Sequence, residues 1–304
     1  MIEIAHLSKT YRSLLGGRSV PALDDLTLAI QPGEVVGVAG PNGAGKSTLI
    51  SLLLGFLAPT AGTVRLAGHT PRAYVERRGA AYLPELMALP PRWTVDAALR
   101  RHAVLAGVPA AAVPARVDRM VEWLGLEEHR RKQVRQLSKG TLQRLGLAQA
   151  LVGDSDLVVL DEPTHGLDPV WTQRFRDVVR ELRRPERCIV MASHNLDELE
   201  RLADRVAILH QGRLERVVHA GAADTGEASC VYRLAATRAA EAVARLFPGA
   251  SLVEGRDNEW RVVGRLPELN RALAELIALG AVVASFAPES SRLEAEFRAA
   301  VGER

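Results

Sequence analysis

Short, unbroken apolar runs recur along the chain, each stopped by a turn or a charged residue. Residues 34–39 (EVVGVA), 157–160 (LVVL), 188–192 (CIVMA) and 205–209 (RVAIL) are of this kind, the pattern of strands covered on both faces. Between them apolar positions recur at spacings of three and four, which predicts helices over 172–184 and 197–203 and another starting at Leu49 with LISLLLGFL. Strands alternating with helices imply an α/β fold around a mostly parallel sheet. Residues 93–153 read as helical throughout, with TVDAALRRHAVLAGV and PARVDRMVEWLGL the clearest segments, and form a helical insertion between the early and late strands.

Past Gly212 the pattern changes. A stretch of small residues, GAADTGEAS, marks a linker at 216–228, and strands and helices then resume over 229–304. VYRLAA reads as strand, TRAAEAVARLF as helix, SLVEG and EWRVVG as a hairpin, LPELNRALAELIALG as helix and AVVASFA as strand, before a last helix SSRLEAEFRAAV. The order βαββαβ predicts a small α+β domain of ferredoxin-like type. It carries no acid pair, Gly-rich loop or metal cluster, so an accessory, regulatory or dimer-stabilising role is expected of it.

Composition narrows the function classes. The 304 residues are 47% hydrophobic and 25% charged, which is ordinary for a globular chain and excludes a disordered one. Thirty-nine Lys and Arg against 36 Asp and Glu leave a net charge of +3, too small for a nucleic-acid footprint. Cys188 and Cys230 have no partner at metal spacing and are expected to be reduced thiols. The first residues, MIEIAHLSKTYRS, lack the charged-then-apolar pattern of a signal peptide. Every apolar run breaks before the roughly 18 to 20 residues of a membrane span. Lysines are scarce, only Lys9, Lys46, Lys132 and Lys139, so a lysine inside a motif carries weight.

The candidate chemistry begins at GPNGAGKST. Gly40, Pro41, Asn42, Gly43, Ala44, Gly45, Lys46 and Ser47 fit GxxxxGK[ST] without a gap, and Thr48 follows. The motif lies between a predicted strand and a predicted helix, the setting of a phosphate-binding loop. Its glycines let successive N–H groups turn toward phosphate oxygens at a helix N-terminus. Lys46 can reach the β- and γ-phosphates, and Ser47 offers a hydroxyl to Mg²⁺. In LVVLDEP, Asp161 at a strand end can hold Mg²⁺, and Glu162 beside it can polarise an attacking water. LSKGT precedes an amphipathic pattern, where Ser138 suits an N-cap and Gly140 leaves room for a phosphate. Capping alone also accounts for that serine.

Taken in order, these pieces resemble the nucleotide-binding subunit of an ABC transporter over residues 1–215. LSKGTLQR is similar to the signature motif, LVVLDEP to the Walker B strand, HGLDP to the D-loop, and MASHNLDELERLADRVAILHQGRL to the switch-histidine segment. The resemblance implies a P-loop NTPase fold, with a RecA-like core, a β-rich N-terminal part and the helical insertion, that uses ATP and Mg²⁺. It implies a head-to-tail dimer, here a homodimer, in which each ATP lies between one P-loop and the other subunit's signature. Tyr11 of KTY would stack on adenine. Ser138 and Gly140 would meet the γ-phosphate across the interface, Asp168 would reach the partner's P-loop, and His194 would contact the γ-phosphate and orient water.

Two departures resemble the branch serving ABC-2 type exporters. Lys139 and Thr141 stand where Gly and Gln are commonest, and Glu85 of AYLPE stands where many members place a Gln facing the metal and the water. That branch implies a separate transmembrane permease, with a coupling surface near 85–93, and a peripheral position on the cytoplasmic face of the cell membrane. The alternative is a soluble ABC ATPase acting on nucleic acid or ribosomes. Such relatives usually carry two cassettes or a long coiled-coil insertion, and neither is evident in this sequence. The transported substrate is not written in the chain.

Overall fold

A computed structural model of the chain describes residues 1–12, 19–220, 229–237, 240–256, 258–289 and 291–302. The described chain divides into two compact units, Met1–Ala220 and Gly221–Ala299. Most of the expected linker, residues 221–228, lies outside the described residues.

The first unit runs β1 (Ile2–Arg12), β2 (Ser19–Ile30), β3 (Val35–Ala39), α1 (Lys46–Leu53), β4 (Ala61–Leu66), α2 (Pro71–Arg78) and β5 (Ala81–Leu83). The helical insertion follows as α3 (Val95–Leu105), α4 (Val113–Trp123) and α5 (Lys139–Leu151). The chain then returns through β6 (Leu157–Asp161), α6 (Pro169–Leu182), β7 (Cys188–Ala192), α7 (Leu196–Leu202), β8 (Arg205–His210) and β9 (Arg213–His219). β2, β1 and β4 form an antiparallel sheet in that order. Its inner residues, among them Ile2, Ile4, Leu26 and Ile30, share one core with Leu49, Ile50 and Leu53 of α1.

The second sheet has the order β5-β6-β7-β3-β8-β9 and is parallel except for β9. Every residue of β3, β6 and β7 is buried, as continuous apolar runs require when helices cover both faces. The register sets Val38 and Asp161 on either side of Ala192. The carboxyl ends of these three strands therefore open side by side, where ligands of parallel sheets bind. At the amino ends of β6 and β7 an ion pair joins the approaches to the two strands. Arg187, just before β7, donates to Asp154 Oδ1 at 2.6 Å and to Leu182 O at 3.1 Å, tying the loop before β6 to the end of α6.

Three local readings need correction. The first helix starts at Lys46 rather than Leu49, because Gly45 turns left-handed at φ 106° and serves as its N-cap. The insertion is not helical throughout: between α4 and α5 the helical structure consists of two short 3-10 turns, Glu127–His129 and Val134–Gln136. The stretch read as linker from 216 begins as β9, an edge strand that pairs with β8 as far as His219. Its apolar residues, Leu214, Val217 and Val218, are broken up by Glu215 and Arg216, so no continuous apolar run announced it.

The second unit is β10 (Ser229–Thr237), α8 (Ala240–Leu246), β11 (Ser251–Leu252), β12 (Glu259–Arg265), α9 (Leu266–Ala278), β13 (Val282–Pro288) and α10 (Arg292–Val301). Its antiparallel sheet has the order β11-β12-β10-β13, with the first and third strands central. This is the split βαβ arrangement that the order βαββαβ predicts. Tyr232, Leu234, Trp260 and Val262 form its core with Val243, Phe247 and Leu276. Among the described residues no helix is long and apolar enough to cross a membrane.

Removing Asp154 strands the charge of Arg187, whose side chain is 2% exposed. Asp154→Ala is expected to cost about 2 to 3 kcal/mol, under the ~3 to 5 kcal/mol of a fully buried pair because Asp154 itself is partly exposed. Urea unfolding measures it, and an unchanged midpoint would show that the pair adds nothing to stability.

Candidate functional site

The phosphate loop leaves β3 and wraps onto α1. Gly40 cannot carry a side chain, since a Cβ there would lie 2.5 Å from the carbonyl oxygen of Leu209. At Gly45 the left-handed backbone is joined by the carbonyl oxygen of Ala22, 2.6 Å from a Cβ position. These constraints press the loop against β2 and β8 and leave its N–H groups and the positive end of α1 toward the opening. Lys46 is buried and bent back over the loop, its Nζ donating to Gly40 O at 2.7 Å and Pro41 O at 3.3 Å.

At the end of β6 two carboxylates follow one another. Asp161 and Glu162 are both buried. Glu162 takes the left-handed φ of 48°, rare for a side chain of its size, and its N–H donates to Ala192 O at 2.9 Å. Sheet geometry thus fixes the turn that aims its carboxylate. Glu162 Oε1 accepts the His194 N–H at 3.0 Å, and Oε2 accepts from His194 Nδ1 at 2.8 Å and from Ser193 Oγ at 3.3 Å. A carboxylate can only accept, so Nδ1 carries the proton and Nε2 of a neutral ring is left as an acceptor.

These groups line one open cleft of about 570 Å³, made by residues 42–48 with Ala22, Glu85, Asp161, Glu162, His165 and His194. Its charge is unbalanced. Burial, then the neighbouring Glu85 and Glu162, push the Asp161 carboxyl up to about 6 against the pull of Lys46. Tyr82 is raised by burial and by the same acids, Asp161 and Glu85. The donor set fits Mg²⁺ bound together with phosphates: a serine hydroxyl and one or two carboxylates in one cleft, not an all-protein cage. Among the described residues no group of three or more His, Cys, Asp or Glu could hold a metal alone.

Other sequence-derived candidates lie outside this cleft's lining. Tyr11 stands half-exposed near the end of β1 with its hydroxyl 3.4 Å from Thr48 Oγ1. Ser138 caps α5, accepting the Thr141 N–H at 3.2 Å, with its Oγ 2.9 Å from Thr141 Oγ1. Asp168 caps α6 by accepting the Trp171 N–H at 2.9 Å. Gly140 has a reason within its own chain, since a Cβ there would lie 3.0 Å from Gly166 O.

The sequence reading missed two residues. His165, passed over inside HGLDP, lines the cleft. Gln143 donates through Nε2 to Glu162 O at 3.2 Å and Pro163 O at 3.0 Å. A polar residue on the buried face of α5 was the available signal for it.

Against known proteins, a family profile described as ABC transporter matches residues 23–165. Nod factor export ATP-binding protein I of Paraburkholderia xenovorans is 38% identical over 214 residues, 70% of this chain and 68% of that protein. The chain belongs to the ABC transporter ATP-binding proteins. An uncharacterized ABC transporter ATP-binding protein of Nostoc is 37% identical over 70% of this cassette chain, which spans 65% of that relative's length. Two solved structures share the P-loop NTPase fold. An ATP-binding subunit of an ABC transporter aligns with TM-score 0.65 and 29% identity, covering 72% of this chain and 90% of that one. A dimeric bacterial ABC transporter cassette aligns with TM-score 0.64 and 25% identity, covering 72% and 98%. The family's activity is ATP binding and hydrolysis, and this cassette has the loop, the acids and the histidine in one cleft.

The raised carboxyl of Asp161 makes stability depend on pH. Because the fold favours its neutral form, that contribution is full below the ordinary carboxylate range and is lost as pH rises from about 4 through about 6. In the nucleotide-free cassette, Asp161→Asn is expected to be more stable than the parent by about 1 to 3 kcal/mol at neutral pH and equal to it near pH 4. Denaturation at the two pH values checks this; a variant no more stable at neutral pH would contradict it.

Proposed function

We propose that this cassette hydrolyses ATP in the cleft between β3, β6 and β7 and drives a separate transmembrane permease in export. The observation that carries this reading is the Glu162 carboxylate, buried beside Asp161 and held by His194 at the phosphate loop. Lys46 leaves the carbonyl oxygens of Gly40 and Pro41 for the β- and γ-phosphates, and the amide N–H groups of residues 42–48 surround the phosphate oxygens. Glu162 accepts a proton from the attacking water; His194 fixes that carboxylate through Nδ1–H and, with a proton on Nε2 as well, donates to the γ-phosphate. Mg²⁺, when bound, supplies charge neutralisation there, held by Ser47 and Asp161 with Glu85 at its margin. Tyr11, placed next to Thr48, stacks on the adenine.

Ser138, Gly140 and Asp168 serve the other subunit of a head-to-tail homodimer, which agrees with their standing outside the cleft of their own chain. The dimeric cassette of the same fold supports this assembly. Residues 85–93 offer the permease a surface: Leu86 is 81% exposed, and Trp93 stacks under Arg101 of α3 with the guanidinium 4.4 Å from the ring centre. A permease partner implies a position on the cytoplasmic face of the cell membrane. Export rests on the likeness to a Nod factor export protein, and transporter subunits as relatives favour a permease over a polymer-clamping role. The unit after residue 220 acts as an accessory that stabilises or regulates the dimer.

Two substitutions separate binding from hydrolysis. Lys46→Ala is expected to abolish tight ATP binding. Glu162→Gln is expected to keep binding, cut turnover by about 10² to 10⁴ and accumulate a Mg-ATP dimer on size-exclusion chromatography. Normal turnover in Glu162→Gln would overturn the assignment.

A further inference from the structure

The first turn of α5 and the loop leaving β6 are joined at several points within one chain. Lys139 Nζ lies 2.8 Å from His165 Nε2; the ammonium can only donate, so the ring nitrogen accepts. The stem of Lys139 crosses Gly166, where a Cβ would come within 2.8 Å of Lys139 Cδ, and Gly166 is left-handed at φ 84°. Gly140 closes on the carbonyl of the same glycine. One helical turn further on, the buried Gln143 holds the carbonyl oxygens of Glu162 and Pro163. Helix and loop are therefore set to move as one body.

The two ends of this joint face different places. His165 lines the nucleotide cleft of its own chain with Glu162 and His194, while Ser138 and Gly140, on either side of Lys139, do not. Under the proposed function those flanking residues meet the nucleotide bound by the other subunit.

We propose that Lys139 is a positioning residue that ties His165 to the signature turn, so that the nucleotide gripped there in one site sets Glu162 and His165 in the other. The inference rests on the head-to-tail dimer. A displacement of the turn travels to the side chain of His165 through Lys139 and to the backbone of Glu162 through Gln143. A glycine at position 139 would leave only the second route. Lys139 and His165 are both exposed, and such a pair adds little to stability. Its loss is thus read in turnover and not in melting.

Mixed dimers decide between this joint and a direct action of Lys139 on the nucleotide beside it. One chain carries Glu162→Gln, so that a single cleft hydrolyses, and Lys139→Ala is placed either in the hydrolysing chain or in the other. Formation of the mixed dimer with Mg-ATP is scored first; if none forms, the proposed function fails and the inference falls with it. Once it forms, Lys139→Ala in the hydrolysing chain is expected to lower kcat about tenfold, the scale of a lost charged hydrogen bond or a small misplacement. KM for ATP and the melting temperature should stay near the parent's, and Lys139→Arg should recover most of the rate. A loss confined to dimers with the change in the opposite chain, or no loss in either, would overturn the inference while leaving the proposed function standing.

Discussion

Two adjacent carboxylates, Asp161 and Glu162, are carried into a buried position at the end of one strand, with Glu85 nearby and Lys46 pulling against them. Burial first, and then its neighbours Glu85 and Glu162, push the Asp161 carboxyl up to about 6. The rest of the site answers this constraint. The positive end of α1 faces the acids' cleft, Lys46 is held in reserve on two backbone carbonyls, and the amide and ring of His194 spread the charge of Glu162 over three hydrogen bonds with Ser193. What remains is an excess of negative charge on the carboxyl side and of donors on the loop side. A polyphosphate bound with a divalent cation satisfies both.

The backbone makes that arrangement rigid. Parallel strands β3, β6 and β7 end in register, so the turns that follow them meet without long side chains having to reach. Glu162 accepts a left-handed conformation because its N–H is claimed by Ala192 and its carbonyl by Gln143. The turn at Glu162 is thus gripped from the sheet on one side and from the helical insertion on the other. A motion of α5 relative to the sheet therefore bears on this turn as well as on Leu83 of β5, against which Gly146 packs.

Much of this was legible in the sequence. The continuous apolar runs marked β3, β6, β7 and β8, since burial on both faces leaves no polar alternation to confuse the reading. The phosphate loop and LVVLDEP announced the cleft because their chemistry is local in sequence. What was not legible depended on partners distant in the chain. β9 is visible only as the strand beside β8, and the early start of α1 follows from a left-handed Gly45 pressed against β2. His165 and Gln143 gain meaning only when α5 is laid against the loop after β6. Gly140, read as clearance for a phosphate, also clears the backbone of Gly166 in its own chain.

The central claim is that this cleft is electrostatically incomplete until it holds Mg-nucleotide. The most direct measurement is the titration of the Asp161 carboxyl carbon by NMR on aspartate-labelled protein, with and without Mg²⁺ and a non-hydrolysable ATP analogue. The nucleotide-free protein should titrate at about 6. With metal and nucleotide bound, the same carboxyl should fall below about 4, into or under the ordinary aspartate range. An Asp161 that titrates identically in both states would contradict the account.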